Sequence, residues 1–84
     1  MQQVTIYTRQ FCGYCSAAKL LLRDKWIPFE EFDATTDPDK REEMISRSGR
    51  FTFPQIFIGE HHIGGCDDLF ALHTGGELDR LLAA

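Results

Sequence analysis

The sequence predicts an α/β fold: one four-stranded mixed sheet, built as βαβ and then ββα, flanked by three or four helices. Three observations carry this prediction. A β-branched run, a stretch of helix formers and a second extended run follow one another before Pro38, the order of a βαβ unit whose crossover makes its strands parallel. Two short extended runs on either side of Gly59-Glu60 then form an antiparallel hairpin with a helix after it. Finally, 84 residues of which 43% are hydrophobic suffice for one core and exclude a second, so residues 1–84 are expected to be one domain.

Val4-Thr5-Ile6-Tyr7-Thr8 is β-branched and aromatic throughout and forms the first strand, which runs directly into Cys12-Gly13-Tyr14-Cys15. From about Tyr14 to Lys25, Ala17, Ala18 and Leu20 to Leu22 alternate with Lys19, Arg23 and Asp24 to give the first helix, which Pro28 prevents from continuing. Phe29 and Phe32 around Glu30-Glu31 make a second strand within Pro28 to Ala34, with one partly exposed face. Asp37-Pro38 supplies an N-cap followed by proline at the first helical position, and Gly49 ends an amphipathic, mostly solvated second helix around Met44 and Ile45. Gln55 to Ile58 and His61 to Ile63 are the hairpin arms, and Gly64-Gly65 stops the second. Asp67 or its neighbour caps a third helix through Leu72, Gly75-Gly76 closes it, and Glu77 to Leu82 adds a final turn or two.

Charge and patterning exclude several functions. Thirteen acidic against nine basic residues give a formal charge of −4, so nucleic acid is not an expected partner. No apolar run reaches the roughly 18 residues of a spanning helix, and the N-terminus lacks the parts of a signal peptide, so no membrane role is expected and the location expected is cytoplasmic. Three cysteines are too few and too odd for a disulfide scaffold, and the C-x-x-C spacing of two of them indicates reactive or metal-binding thiols.

Residues three apart on a helix share a face, so Cys12 and Cys15 can form and break an intramolecular disulfide after a modest rotation. At a helix N-terminus the Cys12 sulfur meets unsatisfied backbone N–H groups and the positive end of the macrodipole, which favour the thiolate; Cys12 is the expected nucleophile. Cys15, a turn further in, is less favoured as an anion and is the expected resolving thiol. Arg9 and Lys19 can add positive potential near the pair. A zinc site from Cys12, Cys15, Cys66 and one histidine would need four converging ligands, which a helix after Cys12 opposes, so no metal ligands are assigned. His61, His62 and His73 are expected to be exposed.

With these parts in place the chain resembles the glutaredoxins, small members of the thioredoxin-fold superfamily, over essentially its whole length. The resemblance rests on the strand entering Cys12-Gly13-Tyr14-Cys15, on Thr52-Phe53-Pro54 and on Gly64-Gly65-Cys66-Asp67. It implies a glutathione-dependent thiol–disulfide oxidoreductase in which Cys12 and Cys15 are catalytic and Arg9, Tyr14, Thr52, Phe53, Pro54, Cys66 and Asp67 form the glutathione site. In such proteins the proline is cis and the residue before it pairs with the peptide of glutathione. Amides at a helix start receive the γ-glutamyl carboxylate there, and the aspartate meets its ammonium. Arg9 would face the glycine carboxylate, with Arg50 and Gln55 as weaker candidates, and the Tyr14 ring would flank the site. Phe53 departs from the usual valine, which bears on the shape of the groove rather than on the backbone pairing.

The resemblance also implies that glutathione is the reductant, that no cofactor is tightly bound, and that the substrates are disulfide-containing or glutathionylated proteins met by a monomer. Gly13, where proline is commoner, suits an alternative: a [2Fe–2S] binding or carrier protein, with Cys12 from each of two subunits and two glutathione thiolates. A thioredoxin is disfavoured, because Phe11-Cys12-Gly13-Tyr14-Cys15 stands in place of its Trp-Cys-Gly-Pro-Cys signature.

Overall fold

The computed structural model describes residues 2–84. Its elements run β1 Val4–Thr8, α1 Gly13–Asp24, β2 Phe29–Asp33, α2 Pro38–Ser48, β3 Gln55–Ile58, β4 His61–Gly64, α3 Cys66–Thr74 and α4 Leu78–Ala83. The strands form one sheet in the order β2-β1-β3-β4. As the connections dictate, β1 and β2 are parallel with Val4 opposite Phe29, while β1–β3 and β3–β4 are antiparallel.

Period-two alternation divides the sheet between two cores. Val4 and Ile6 of β1 and Ile56 and Ile58 of β3 face one side, where Ala18, Leu21 and Leu22 of α1, Leu69 of α3 and Leu78 and Leu82 of α4 complete an aliphatic cluster. Tyr7 and Phe57 face the other side and pack with Met44 of α2, alongside Phe32, Ile45 and Phe53. One helix covers this second face, and its polar atoms are paired: the Tyr7 hydroxyl donates to the Glu43 carboxylate and accepts from Arg47 Nη1 at 2.9 Å. The Arg47 guanidinium lies 4.0 Å from the Phe57 ring centroid.

Several boundaries differ from the sequence expectation. Helix α1 starts at Gly13 with Cys12 as N-cap, and it ends at Asp24. Gly64 belongs to β4 rather than stopping it. Helix α3 starts at Cys66 behind Gly65, so Asp67 is not its N-cap; instead Asp68 reaches back and its Oδ2 accepts the Gly65 N–H at 2.9 Å. That return explains the glycine before it. Gly64 has φ +120, and a Cβ there would lie 2.2 Å from Asp68 Oδ2.

The histidine expectation also needs correcting. His61 is exposed, but His62 is half-buried, its ring 4.9 Å from that of Phe57 and its Nε2 2.7 Å from Gln55 Oε1. The β3–β4 register shifts between Ile56 and Phe57, and this irregularity sits beside the two polar partners.

Candidate active site

Strand β1 ends in the core and delivers the chain to the surface, where Phe11 adopts a left-handed φ of 55 with its side chain fully exposed. The next residue returns to extended backbone, φ −119 and ψ 104, and this places Cys12 at the N-cap of α1. Its sulfur takes the role that a serine or aspartate oxygen usually fills, accepting the Cys15 N–H at 3.1 Å. The N-cap carbonyl meanwhile accepts from Ser16 N at 3.1 Å and Ser16 Oγ at 3.3 Å. One backbone dipole therefore points at the Cys12 sulfur in addition to the helix field.

Cys15 sits one turn deeper and is 2% exposed, against 8% for Cys12. Burial pushes its thiol up to about 12, and the hydrogen bond with Cys12 adds to this, while the backbone amide and charge of Arg9 pull the other way. All three cysteines are free thiols. The arrangement offers an outer sulfur with an amide donor and an inner one held protonated.

Against this pair lies the loop before β3, whose Phe53–Pro54 peptide is cis, as the resemblance implied. The Phe53 carbonyl is 3.9 Å from Cys12 Sγ, while its ring packs toward Met44 and Tyr7 on the α2 side. The third component is the start of α3. A cleft of about 160 Å³ is lined by Tyr14, Phe53, Pro54, Cys66 and Asp67, together with Gly65 and Asp68. The adjacent carboxylates are distinct in their contacts: Asp68 is bonded to Gly65 and lies 3.5 Å from Arg50 Nη1, whereas Asp67 makes no such cap. Burial, with the Asp67 charge behind it, pushes the Cys66 thiol above its ordinary value.

Five of the seven predicted ligand residues thus meet in one cleft, and two do not. Arg9 lines a separate groove of about 420 Å³ with Cys12, Cys15, Lys19, Glu31 and Asp33. Thr52 turns its carbonyl and hydroxyl to the Gln55 amide nitrogen, each at 3.0 Å. Lys19 is occupied by Glu31 at 3.0 Å, and Glu31 also accepts from Thr8 Oγ1 at 2.7 Å. Burial raises the Glu31 carboxyl, but these two partners outweigh it and hold the group below the usual range. Gln55 is fully buried and bonded on both ends of its amide, so it is not available to a carboxylate of a ligand.

Sequence reasoning missed the Gln55–His62 contact, whereas the approach of Arg9 to Cys15 follows the expectation that Arg9 adds positive potential near the pair. The available signal for that contact was a lone glutamine opening the otherwise apolar Gln55-Ile56-Phe57-Ile58 strand. Among the described residues no three or more histidine, cysteine or carboxylate side chains converge as metal ligands.

A β1–α1 turn that presents a dithiol on a sheet of this order, beside a cis-proline loop, defines a thiol–disulfide oxidoreductase of the thioredoxin-like fold. The family model described as Glutaredoxin matches residues 4–63. The chain is 56% identical to glutaredoxin 3 of Escherichia coli, over 98% of this chain and 99% of that protein. The solution structure of a glutaredoxin from Brucella melitensis superposes with a TM-score of 0.85 at 58% identity, covering 98% of this chain and 89% of the other. The crystal structure of a buckwheat glutaredoxin–glutathione complex gives a TM-score of 0.84 at 30% identity, covering 95% and 76%. The chain belongs to the glutaredoxin family, in its small bacterial type.

Proposed function

We propose that this chain reduces protein disulfides and protein–glutathione mixed disulfides with glutathione as the reductant. The Cys12 thiolate attacks one sulfur of the substrate disulfide, forming a mixed disulfide and releasing the other sulfur as a thiolate that takes up a proton. From a mixed disulfide with protein, Cys15 loses its proton and attacks Cys12 Sγ, leaving the substrate as a dithiol and the enzyme as the Cys12–Cys15 disulfide. Two glutathiones then restore the enzyme dithiol and leave as glutathione disulfide. When glutathione itself is held on Cys12, a second glutathione thiolate attacks its sulfur and frees Cys12. The observation that carries this reading is the Cys15 N–H donating to the Cys12 sulfur at the helix cap, with the second thiol one turn inside.

Bound glutathione lies in the cleft beside Cys12. Its γ-glutamyl carboxylate meets the unpaired first amides of α3, which no intrahelical carbonyl satisfies, and its ammonium meets Asp67. The Thr52 and Phe53 backbone before Pro54 pairs with its peptide, Tyr14 and Cys66 line its flank, and Arg9 faces its glycine carboxylate. Support for this placement comes from the shared lining of Tyr14, Phe53, Pro54, Cys66 and Asp67, and from the freedom of Asp67 while Asp68 serves the cap.

The test is turnover of a glutathione mixed disulfide coupled to glutathione reductase, with a thioredoxin reductase system in parallel. The reading predicts turnover with the first and little with the second; the reverse overturns it. A second reading, a [2Fe–2S] cluster shared by Cys12 of two subunits and two glutathiones, is supported by Gly13 standing where proline is commoner in the family. Bound iron and thiolate–iron absorption after anaerobic purification with glutathione would establish it.

A further inference from the structure

Gln55 is the one polar residue of β3, fully buried on the α2 face opposite Tyr7. Its amide nitrogen has two hydrogens, and both have an acceptor in the loop: the Thr52 carbonyl and the Thr52 hydroxyl, each at 3.0 Å. The amide oxygen is therefore the end that faces β4, where His62 Nε2 lies 2.7 Å away. An amide oxygen can only accept, so His62 must carry its proton on Nε2 and donate it. Tilted packing against the Phe57 ring, 4.9 Å between centroids, holds the imidazole in place. Burial, with the nearby Arg50 charge, lowers the His62 pKa from its ordinary 6.5, so the donor is a neutral imidazole at neutral pH.

We propose that His62 is a positioning residue for the Thr52-Phe53-Pro54 loop: its Nε2–H fixes which way the Gln55 amide points, and that amide anchors Thr52 and so sets the neighbouring Phe53 backbone that receives the peptide of glutathione. The proposal rests on the glutathione reading above and adds to it a residue outside the cleft. With an acceptor in place of the donor, the Gln55 amide turns over to give its N–H groups to β4. Its oxygen then confronts the Thr52 carbonyl, two acceptors face each other in a buried setting, and the loop loses its anchor.

Three variants separate the hydrogen bond from packing. His62→Gln keeps an N–H donor, His62→Glu replaces it with an acceptor of nearly the same shape, and His62→Leu removes both polar functions. In steady-state turnover of a glutathione mixed disulfide, His62→Glu is expected to raise KM about tenfold and His62→Leu, which leaves the buried amide oxygen unpaired, about fivefold, each with kcat within about twofold, while His62→Gln stays within about twofold of the parent in both. Alkylation of Cys12 by iodoacetamide should proceed at the parent rate in all three, since the sulfur and its amide donor are untouched. Parent KM in all variants, or a His62→Gln as impaired as His62→Leu, overturns the proposal. The side-chain amide resonances of Gln55, read without glutathione, give an independent decision: they should shift in His62→Glu and hold in His62→Gln, and unchanged shifts in both overturn it. Should the parent itself fail to saturate with the mixed disulfide, the glutathione reading falls, and the Gln55 resonances still decide whether His62 sets the loop.

Discussion

Cys12 and Cys15 carry the same side chain one helical turn apart, and their surroundings differ in kind. Cys12 occupies a cap, where the backbone is changing from strand to helix and an amide of the first turn has no helical acceptor, so the sulfur receives it. Cys15 is already inside the helix, where its backbone is satisfied and its side chain enters the interior, so that burial holds its proton on. The lesson is that a dithiol acquires two roles from position alone. The same Cys15 residue that buries its thiol lends its N–H to the partner sulfur.

The largest effect expected from breaking this asymmetry comes from Cys12→Ser. Turnover of glutathione mixed disulfides and of protein disulfides should both fall roughly 100-fold or more in the coupled assay, because among the described residues no other sulfur accepts a backbone amide. Cys15→Ser should separate the two activities. Reduction of a protein disulfide should fall to background, while turnover of a glutathione mixed disulfide stays within about threefold of the parent, since a second glutathione replaces the inner thiol. The His62 series follows, acting on the loop and leaving the sulfurs alone.

The smallest effect sharpens the comparison through stability. Folding raises the Cys15 thiol from its ordinary 9.0 to about 12, so the folded state holds this proton where the unfolded chain releases it. The associated stability is complete below about pH 9 and is lost as pH rises from there toward 12, at no more than about 1.4 kcal/mol per pH unit for one group. Urea midpoints of the reduced protein should fall above pH 9, and in Cys15→Ala they should fall less steeply. Tyr7 and Cys66, both also raised by burial, add slope of the same sign.

How much of this was legible in the sequence follows the range of the interactions. Asp37-Pro38 and Gly49 bound α2 through local capping rules, and they place it correctly: Asp37 Oδ1 accepts Lys40 N at 3.2 Å and Gly49 closes the helix at φ 71. Cys12 at the start of α1 was legible because a strand running into helix formers leaves few places for the cap. The assignment of the two aspartates was not, because it depends on Asp68 folding back over Gly64-Gly65 rather than on propensity. Nor was the Gln55–His62–Thr52 chain, whose members meet only when β3 and β4 pair across a register shift. Read as a local turn, His61-His62 looks solvated; tertiary packing on Phe57 buries the second of the two. Arg9, just before the motif, was legible as a charge near the pair, and it lines the groove beside Cys12 and Cys15 rather than the cleft at the start of α3.

The division of labour between the two sulfurs can be read directly by mass spectrometry after brief exposure of the reduced variants to glutathione disulfide. The account predicts that Cys15→Ser accumulates one glutathione on Cys12, and that Cys12→Ser acquires none on Cys15 over the same interval. A Cys12→Ser protein that took up glutathione on Cys15 as fast as Cys15→Ser does on Cys12 would contradict it.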